Sequence, residues 1–198
     1  MRFVTLTFFP LPILIVGDPR LERAATKASS KDQELPREIG QLHATLDQFR
    51  RTHSYGRAIA APQVGIGKRF IAMNLGVRPE TLLNPEILWR SDDVFEVWDD
   101  CLSIPDRIIR VRRHKSISLR YSDIQWRVRI CEHLPSDVSE LLQHEIDHLD
   151  GILMFARASG AYPVRPIAEH GGLIGPSRPK IQQCMEQFER LATTRQAQ

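Results

Sequence analysis

Gln143 to Gly151 reads QHEIDHLDG, two histidines four residues apart with a glutamate directly after the first. On an α-helix, side chains at i and i+4 lie on one face, one above the other, so His144 and His148 can grip a single ion. Glu145 then stands beside that ion, placed to take a proton from its water. The flanks predict a helix. Pro135-Ser136-Asp137 is a start signal, and Asp137 with Glu140 three residues on has the form of a capping box. Val138, Leu141, Leu142 and Leu149 recur at helical spacing and define a buried face. Gly151 is a natural stop. A solvated helix with unrelated histidines would carry the same periodicity, so other segments must decide between the two.

A catalytic zinc-type centre uses three protein ligands and keeps one position open for water. The extended pattern H-E-x-x-H-x-x-G-x-x-H would supply a third histidine. Met154 occupies that place, which excludes the protease class that uses it. Glu169 and His170 lie downstream, in a Gly/Pro-rich run without helical pattern. The cysteines remain. Cys184 falls on the apolar face of a final helix and is most simply a core residue. Cys131, in RICEHLP just before the helix, competes by proximity, although it also reads as a small buried hydrophobe ending a strand. Cys101, in WDDCLSIPD, stands between acidic residues and a proline-bearing turn, a poor setting for a buried hydrophobe.

The whole chain narrows the class. With 198 residues, 42% of them hydrophobic, it can bury one good core. A formal net charge of +3, with Lys and Arg scattered, gives no support for nucleic acid as a partner. Three cysteines without a recognisable pairing fit a reducing compartment, and the expectation is a cytoplasmic protein. The opening MRFVTLTFFPLPILIVGDPR imitates a signal peptide. Two prolines interrupt its apolar run and no small-x-small cleavage site follows. It is too short and broken to span a membrane, and reads as a β-type opening and a turn.

Leu35 to Thr52 carries Ile39, Leu42, Leu46 and Phe49 at helical spacing. KRFIAMNL, TLLNPEIL and KSISLRYSDI are short, β-rich and bounded by turn formers, and RVRRHK reads as an extension of the last. Residues 160–179 hold four glycines and four prolines, which predicts a loop without regular structure. Ile181, Cys184, Met185, Phe188 and Leu191 then form an apolar stripe, expected to pack on the domain or on a second copy. Strands come first and the principal helix late, without βαβ alternation, which favours an α+β fold.

Three segments in order, GRAIAAPQVG (56–65), DDCLSIP (99–105) and QHEIDHLDG (143–151), resemble the signature motifs of the peptide deformylases. ILIVGDPRL and LLNPEI agree with the family's flanking segments. The resemblance covers roughly residues 12–157. It implies mixed, mainly antiparallel strands around a central helix, a catalytic domain over 1–159, and an extension with an amphipathic helix over 160–198. It also implies a role for each site residue. Cys101, His144 and His148 are metal ligands and Glu145 is the acid/base. Gln63 and the backbone N–H of Leu102 are donors to the substrate oxygen. Gly56, Arg57, Ala58 and Ile59 form an edge that pairs with an extended substrate, and Arg113 partners Asp99. The implied cofactor is one divalent ion per chain, typically Fe²⁺ in this family, with Zn²⁺, Ni²⁺ or Co²⁺ as alternatives. The implied substrate is an N-formylmethionyl peptide or nascent chain, and the chain is expected to be a monomer or homodimer. The alternatives are a deformylase or deacylase of a small formylated metabolite, and a non-catalytic peptide-binding relative.

Two positions depart from the family's usual glycines: Ala58 in the first motif and Asp100 in the second. Ala58 implies that the backbone there stays extended, since left-handed geometry would cost about 1–2 kcal/mol. Asp100 adjoins a ligand, and Arg57 lies on the opposing segment. Facing each other, the two side chains pair across the groove and narrow its mouth. The other outcome, by alternation along extended segments, is two solvated charges turned away.

Overall fold

A computed structural model describes residues 8–76 and 78–170. Helix α1 (Leu35–His53) is followed by seven strands: β1 (Ala58–Ala60), β2 (Phe70–Asn74), β3 (Pro79–Arg90), β4 (Val94–Cys101), β5 (Ile104–His114), β6 (Ile117–Ser122) and β7 (Val128–Cys131). Helix α2 (Ser136–Leu149) comes next, and β8 (Val164–Pro166) follows it. The strands form two antiparallel sheets, ordered β1-β2-β3-β6-β7 and β4-β5-β8. This is the α+β arrangement the sequence implies.

The larger sheet is buried on both faces near its β1 edge, and the two-residue alternation of a strand explains how. Phe70 and Ala72 of β2, with Ile59 of β1, pack against Leu42 and Leu46 of α1. The intervening Ile71 and Met73, with Ala58 and Ala60, pack against Leu142 and Ile146 of α2. Leu42, Leu46, Phe70 and Ile71 are fully buried, and each such side chain contributes about 1.5–3 kcal/mol. The smaller sheet closes a third cluster around Cys101, Ile104, Ile109, Val111 and Met154.

Helix α2 therefore lies between the two sheets, and every residue from Val138 to Leu149 is buried. Its apolar stripe meets the larger sheet, and its polar positions need partners. Gln143 finds them at the end of β5: its Oε1 accepts from His114 N at 3.0 Å and its Nε2 donates to His114 O at 2.9 Å. The C-terminus closes in a Schellman motif, with Ile152 N bonded to Asp147 O and Gly151 N to His148 O. Gly151 has φ +72°, and a Cβ there would stand 2.7 Å from Glu22 O. Glycine at this point lets the chain turn immediately after the second histidine.

Four expectations need correction. The N-terminus of α2 has no side-chain cap, because Glu140 turns away from the helix start to meet Arg57. RVRRHK does not extend β6. It is the end of β5, separated from β6 by a turn at Lys115-Ser116. Residues 160–170 are not all loop, since β8 pairs with Arg107–Ile109 of β5 and Arg165 stacks over Trp98 at 4.7 Å. Arg57 is not paired with Asp100 across a groove; its salt-bridge partner is Glu140. The apolar stripe at 181–191 and the remainder of the Gly/Pro run lie outside the described residues.

Candidate metal centre and substrate recess

Cys101 ends β4, and its register partner is Ile104, so Leu102 and Ser103 form the corner of a tight hairpin. A register break falls between Asp100 and Cys101, which interrupts the usual alternation of faces. Opposite this corner, α2 presents His144 and His148 one turn apart. The ligand atoms of Cys101, His144 and His148 lie within 4.8 Å of one another, and all three residues are buried. Cys101 Sγ is 3.2 Å from His148 Nε2. Cys131 is not part of this group. It is fully buried at the end of β7, and burial pushes its thiol up to about 12. Its competing reading, a small core residue, is the one the fold realises.

A chain of buried charges fixes the first histidine. His144 Nδ1 donates to Asp99 Oδ2 at 2.9 Å, which leaves Nε2 with its lone pair for a ligand. Arg113 Nη2 reaches the same Asp99 oxygen at 3.1 Å, as the family resemblance implied, while its Nη1 reaches Asp147 Oδ2 at 2.5 Å. Arg157 completes the series on Asp147 at 2.7 Å. Burial opposes charge on Asp99, but His144 and Arg113 outweigh it and hold the carboxyl well below the usual range. Burial likewise opposes a proton on His144, and Asp99 outweighs it, raising the imidazole well above its ordinary value. A metal held by His144 would take the place of that proton, and the same carboxylate would strengthen the imidazole as a donor. Burial and the neighbouring His144 push His148 well below its ordinary value, into the neutral form a ligand needs.

Glu145 is 3% exposed, and its Oε2 has no hydrogen-bond partner among the described residues. Burial pushes its carboxyl up to about 7, near the operating range of a general base. An orphaned buried oxygen on a residue that lines the same recess as His144 is what a site completed by water or substrate leaves behind. Gln63 stands in the turn Ala61–Val64 that follows β1. Its Oε1 accepts from Ala60 N at 2.8 Å, which fixes the amide so that Nε2 faces Ser103 Oγ at 3.2 Å and Cys101 Sγ at 3.6 Å. Sequence motifs alone did not show this anchoring. Its signal is the three-residue spacing of Ala60 and Gln63 across a proline.

Among the described residues β1 is an edge strand, bonded only on its β2 side. Asn74 N donates to Arg57 O at 2.8 Å, so alternation turns the N–H and C=O of Ala58 toward the open side. Ala58 lies in regular strand and keeps the extended backbone expected of it, while Gly56 has φ +110°. A recess beside this edge is lined by Tyr55, Gly56, Arg57, Ala58, Asp99, Asp100, Leu102, Leu141, His144 and Glu145. Ile59, expected in the groove, instead points into the α1 side of the core. Arg57 Nη1 is 2.6 Å from Glu140 Oε1, with side-chain exposures of 15% and 8%. Asp100 feels the same guanidinium from the other wall. Burial, reinforced by Asp99, raises its carboxyl, and Arg57 pulls it down.

Among the described residues, no helix is long and apolar enough to cross a membrane. The sequence profile of the polypeptide deformylase family matches residues 10–163. A peptide deformylase of Thermotoga neapolitana is 34% identical over 149 residues, which span 75% of this chain and 87% of that one. One from Heliobacterium modesticaldum is 36% identical over 151 residues, 76% of this chain and 95% of that one. The crystal structure of the Thermotoga maritima peptide deformylase superposes with a TM-score of 0.69 at 32% identity, covering 76% of this chain and 99% of that one. A class I type b peptide deformylase from Acinetobacter baumannii, solved with Met-Ala-Ser bound, gives 0.67 at 29% identity, covering 77% and 99%. With its two antiparallel sheets, its central helix and these matches over most of its length, the chain belongs to the peptide deformylase family.

Proposed function

We propose the following division of labour for the hydrolysis this family performs. The chain removes the N-formyl group from N-formylmethionyl peptides, releasing formate and a free amine. Cys101, His144 and His148 hold one divalent ion, and Asp99 keeps His144 oriented toward it. A thiolate with two imidazoles suits Fe²⁺ or Zn²⁺, and we favour Fe²⁺. The ion, when bound, supplies a Lewis acid and makes a water molecule acidic enough to act as nucleophile near neutral pH. The water oxygen adds to the formyl carbon first, and the carbon–nitrogen bond of the formamide breaks once its nitrogen can take a proton.

Glu145 accepts the water's proton on the oxygen that otherwise lacks a partner, then passes it to the leaving nitrogen. Gln63 Nε2, fixed by the Ala60 contact, donates to the formyl oxygen as negative charge grows there. The N–H of Leu102, at the hairpin corner, is the second donor. One such donor is worth about 10²–10³ in rate. Ala58 offers its outward N–H and C=O to the substrate backbone, adding it to β1 as a further strand. Substrate binding by Gly56, Arg57, Ala58 and Asp100 follows from their place around the recess; Ile59 supports the edge from beneath. The catalytic domain takes in residues 1–159, with β8 of the following extension tied to it.

The observation that carries this reading is the buried group of Cys101, His144 and His148 with the orphaned Glu145 oxygen beside it. The test is metal analysis of anaerobically purified protein. One equivalent per chain is expected, with affinity falling as pH drops and the thiolate and imidazoles protonate. A Cys101→Ala protein that binds metal equally well refutes the ligand set.

A further inference from the structure

The recess beside the metal ligands has a charged wall where a methionine side chain would ask for an apolar one. A peptide added to β1 with its formyl carbon beside Glu145 must direct its first side chain into this recess. Leu102, Leu141 and Ala58 supply apolar surface. Against them stand Arg57, on the strand side, and Asp100, on the hairpin side.

The Arg57–Glu140 pair is not explained by stability. Replacing a buried ion pair with well-packed apolar residues is often neutral or favourable, whereas removing one partner strands the other. Nor is the pair isolated, because Arg57 Nη1 also donates to Asp137 O at 3.2 Å. Arg57 is therefore engaged by Glu140, and Asp100, which lines the same recess, has no ion-pair partner among the described residues. Of the other acids of the lining, Asp99 is already matched by Arg113 and His144, and Glu145 is the proton acceptor of the proposed reaction.

We infer that Arg57, Glu140 and Asp100 are specificity-determining residues that make the recess select a formylated substrate whose first side chain carries an amine or similar cationic donor, in preference to an apolar one. This rests on the deformylase reading of the same site. An apolar side chain would strip water from Asp100 and Arg57 and return no hydrogen bond, which is how a polar pocket rejects an analogue lacking the matching group. An ammonium group brings donors to Asp100 and supplies its missing counter-charge. A carboxylate meets Asp100 as a like charge and finds Arg57 already engaged.

The test compares kcat/KM of the nickel-loaded enzyme on formyl-Lys-Ala-Ser, formyl-norleucyl-Ala-Ser, formyl-Met-Ala-Ser and formyl-Glu-Ala-Ser, read as formate released. Norleucine matches the lysine chain without its amine. The lysyl peptide should exceed the norleucyl and methionyl peptides by about tenfold, with the glutamyl peptide lowest. Asp100→Asn keeps the shape and should erase most of that advantage. Asp100→Gly should raise kcat/KM for the methionyl peptide severalfold. The double substitution Arg57→Ile with Glu140→Leu removes both partners, avoids a stranded charge, and should make the methionyl peptide the best substrate. Equal or better turnover of norleucyl and methionyl peptides by the unaltered enzyme overturns the inference while leaving the deformylase reading intact. So does a lysyl preference that survives Asp100→Asn unchanged. No formate from any peptide overturns both.

Discussion

Glu145→Gln in the metal-free protein gives a stability change with a definite sign and pH window. Burial raises the Glu145 carboxyl from its ordinary value of 4.5 to about 7. Between these values the folded protein holds a proton that the unfolded chain has released. Stability therefore falls as pH rises through that window, and the loss is complete above the folded value. A shift of roughly 2.5 units at about 1.36 kcal/mol per unit sets the loss near 3 kcal/mol. Glutamine has the same shape and does not titrate. At pH 4.5 the two proteins should be about equally stable, and above pH 7.5 the Gln variant should be more stable by up to about 3 kcal/mol. Urea unfolding of both proteins in chelator, at half-unit steps from pH 4.5 to 8, measures the difference directly. Other buried groups, Asp99 and His144 among them, titrate in both proteins and largely cancel. Metal should shrink the gap, because a nearby cation stabilises the carboxylate. A difference that stays flat across the series refutes the claim that Glu145 is held in a dry, unpartnered place beside the ligands.

Two further substitutions probe what holds the site in place. Asp99→Asn removes the charge that orients His144 and compensates Arg113. It should weaken metal affinity by about 10–100-fold, read by competition with a chelating dye, and unchanged affinity counts against the orienting role. Gly151→Ala forces a Cβ to within 2.7 Å of Glu22 O at φ +72°. It should destabilise by more than the roughly 1–2 kcal/mol of left-handed geometry alone, read as a lower urea midpoint.

The helix of the two histidines was legible because its signals are local: the i, i+4 spacing, the apolar stripe and the glycine stop lie within one short stretch. The role of Glu140 was not. Three residues after Asp137 it has the form of a cap, and only the folding of β1 across α2 brings Arg57 to it. The β4–β5 hairpin was missed for another reason. Its strands carry acids and arginines between apolar residues, and the proline that reads as a turn, Pro105, lies inside β5 just past the corner at Leu102-Ser103. The boundary at Lys115-Ser116 was blurred in the same way. β8 sits in a Gly/Pro run with no strand pattern, and is held by long-range pairing with β5 and by Arg165 on Trp98. Within the site, the candidate ligand types and their order were readable, and the Asp99–Arg113 contact followed from the family resemblance. The anchoring of the Gln63 amide by Ala60 N and the charged wall of the recess are products of tertiary contact.

The most direct test of the catalytic assignment measures metal content and formate release together, on the same preparations of unaltered protein and Glu145→Gln. Both should carry one divalent ion per chain when loaded with iron or nickel. The unaltered protein should release formate from formylated tripeptides, and Glu145→Gln should lose most of that turnover on every one of them, by at least about 10² as expected for loss of a general acid–base group. A Glu145→Gln protein that keeps near-normal kcat with its metal in place would contradict the account.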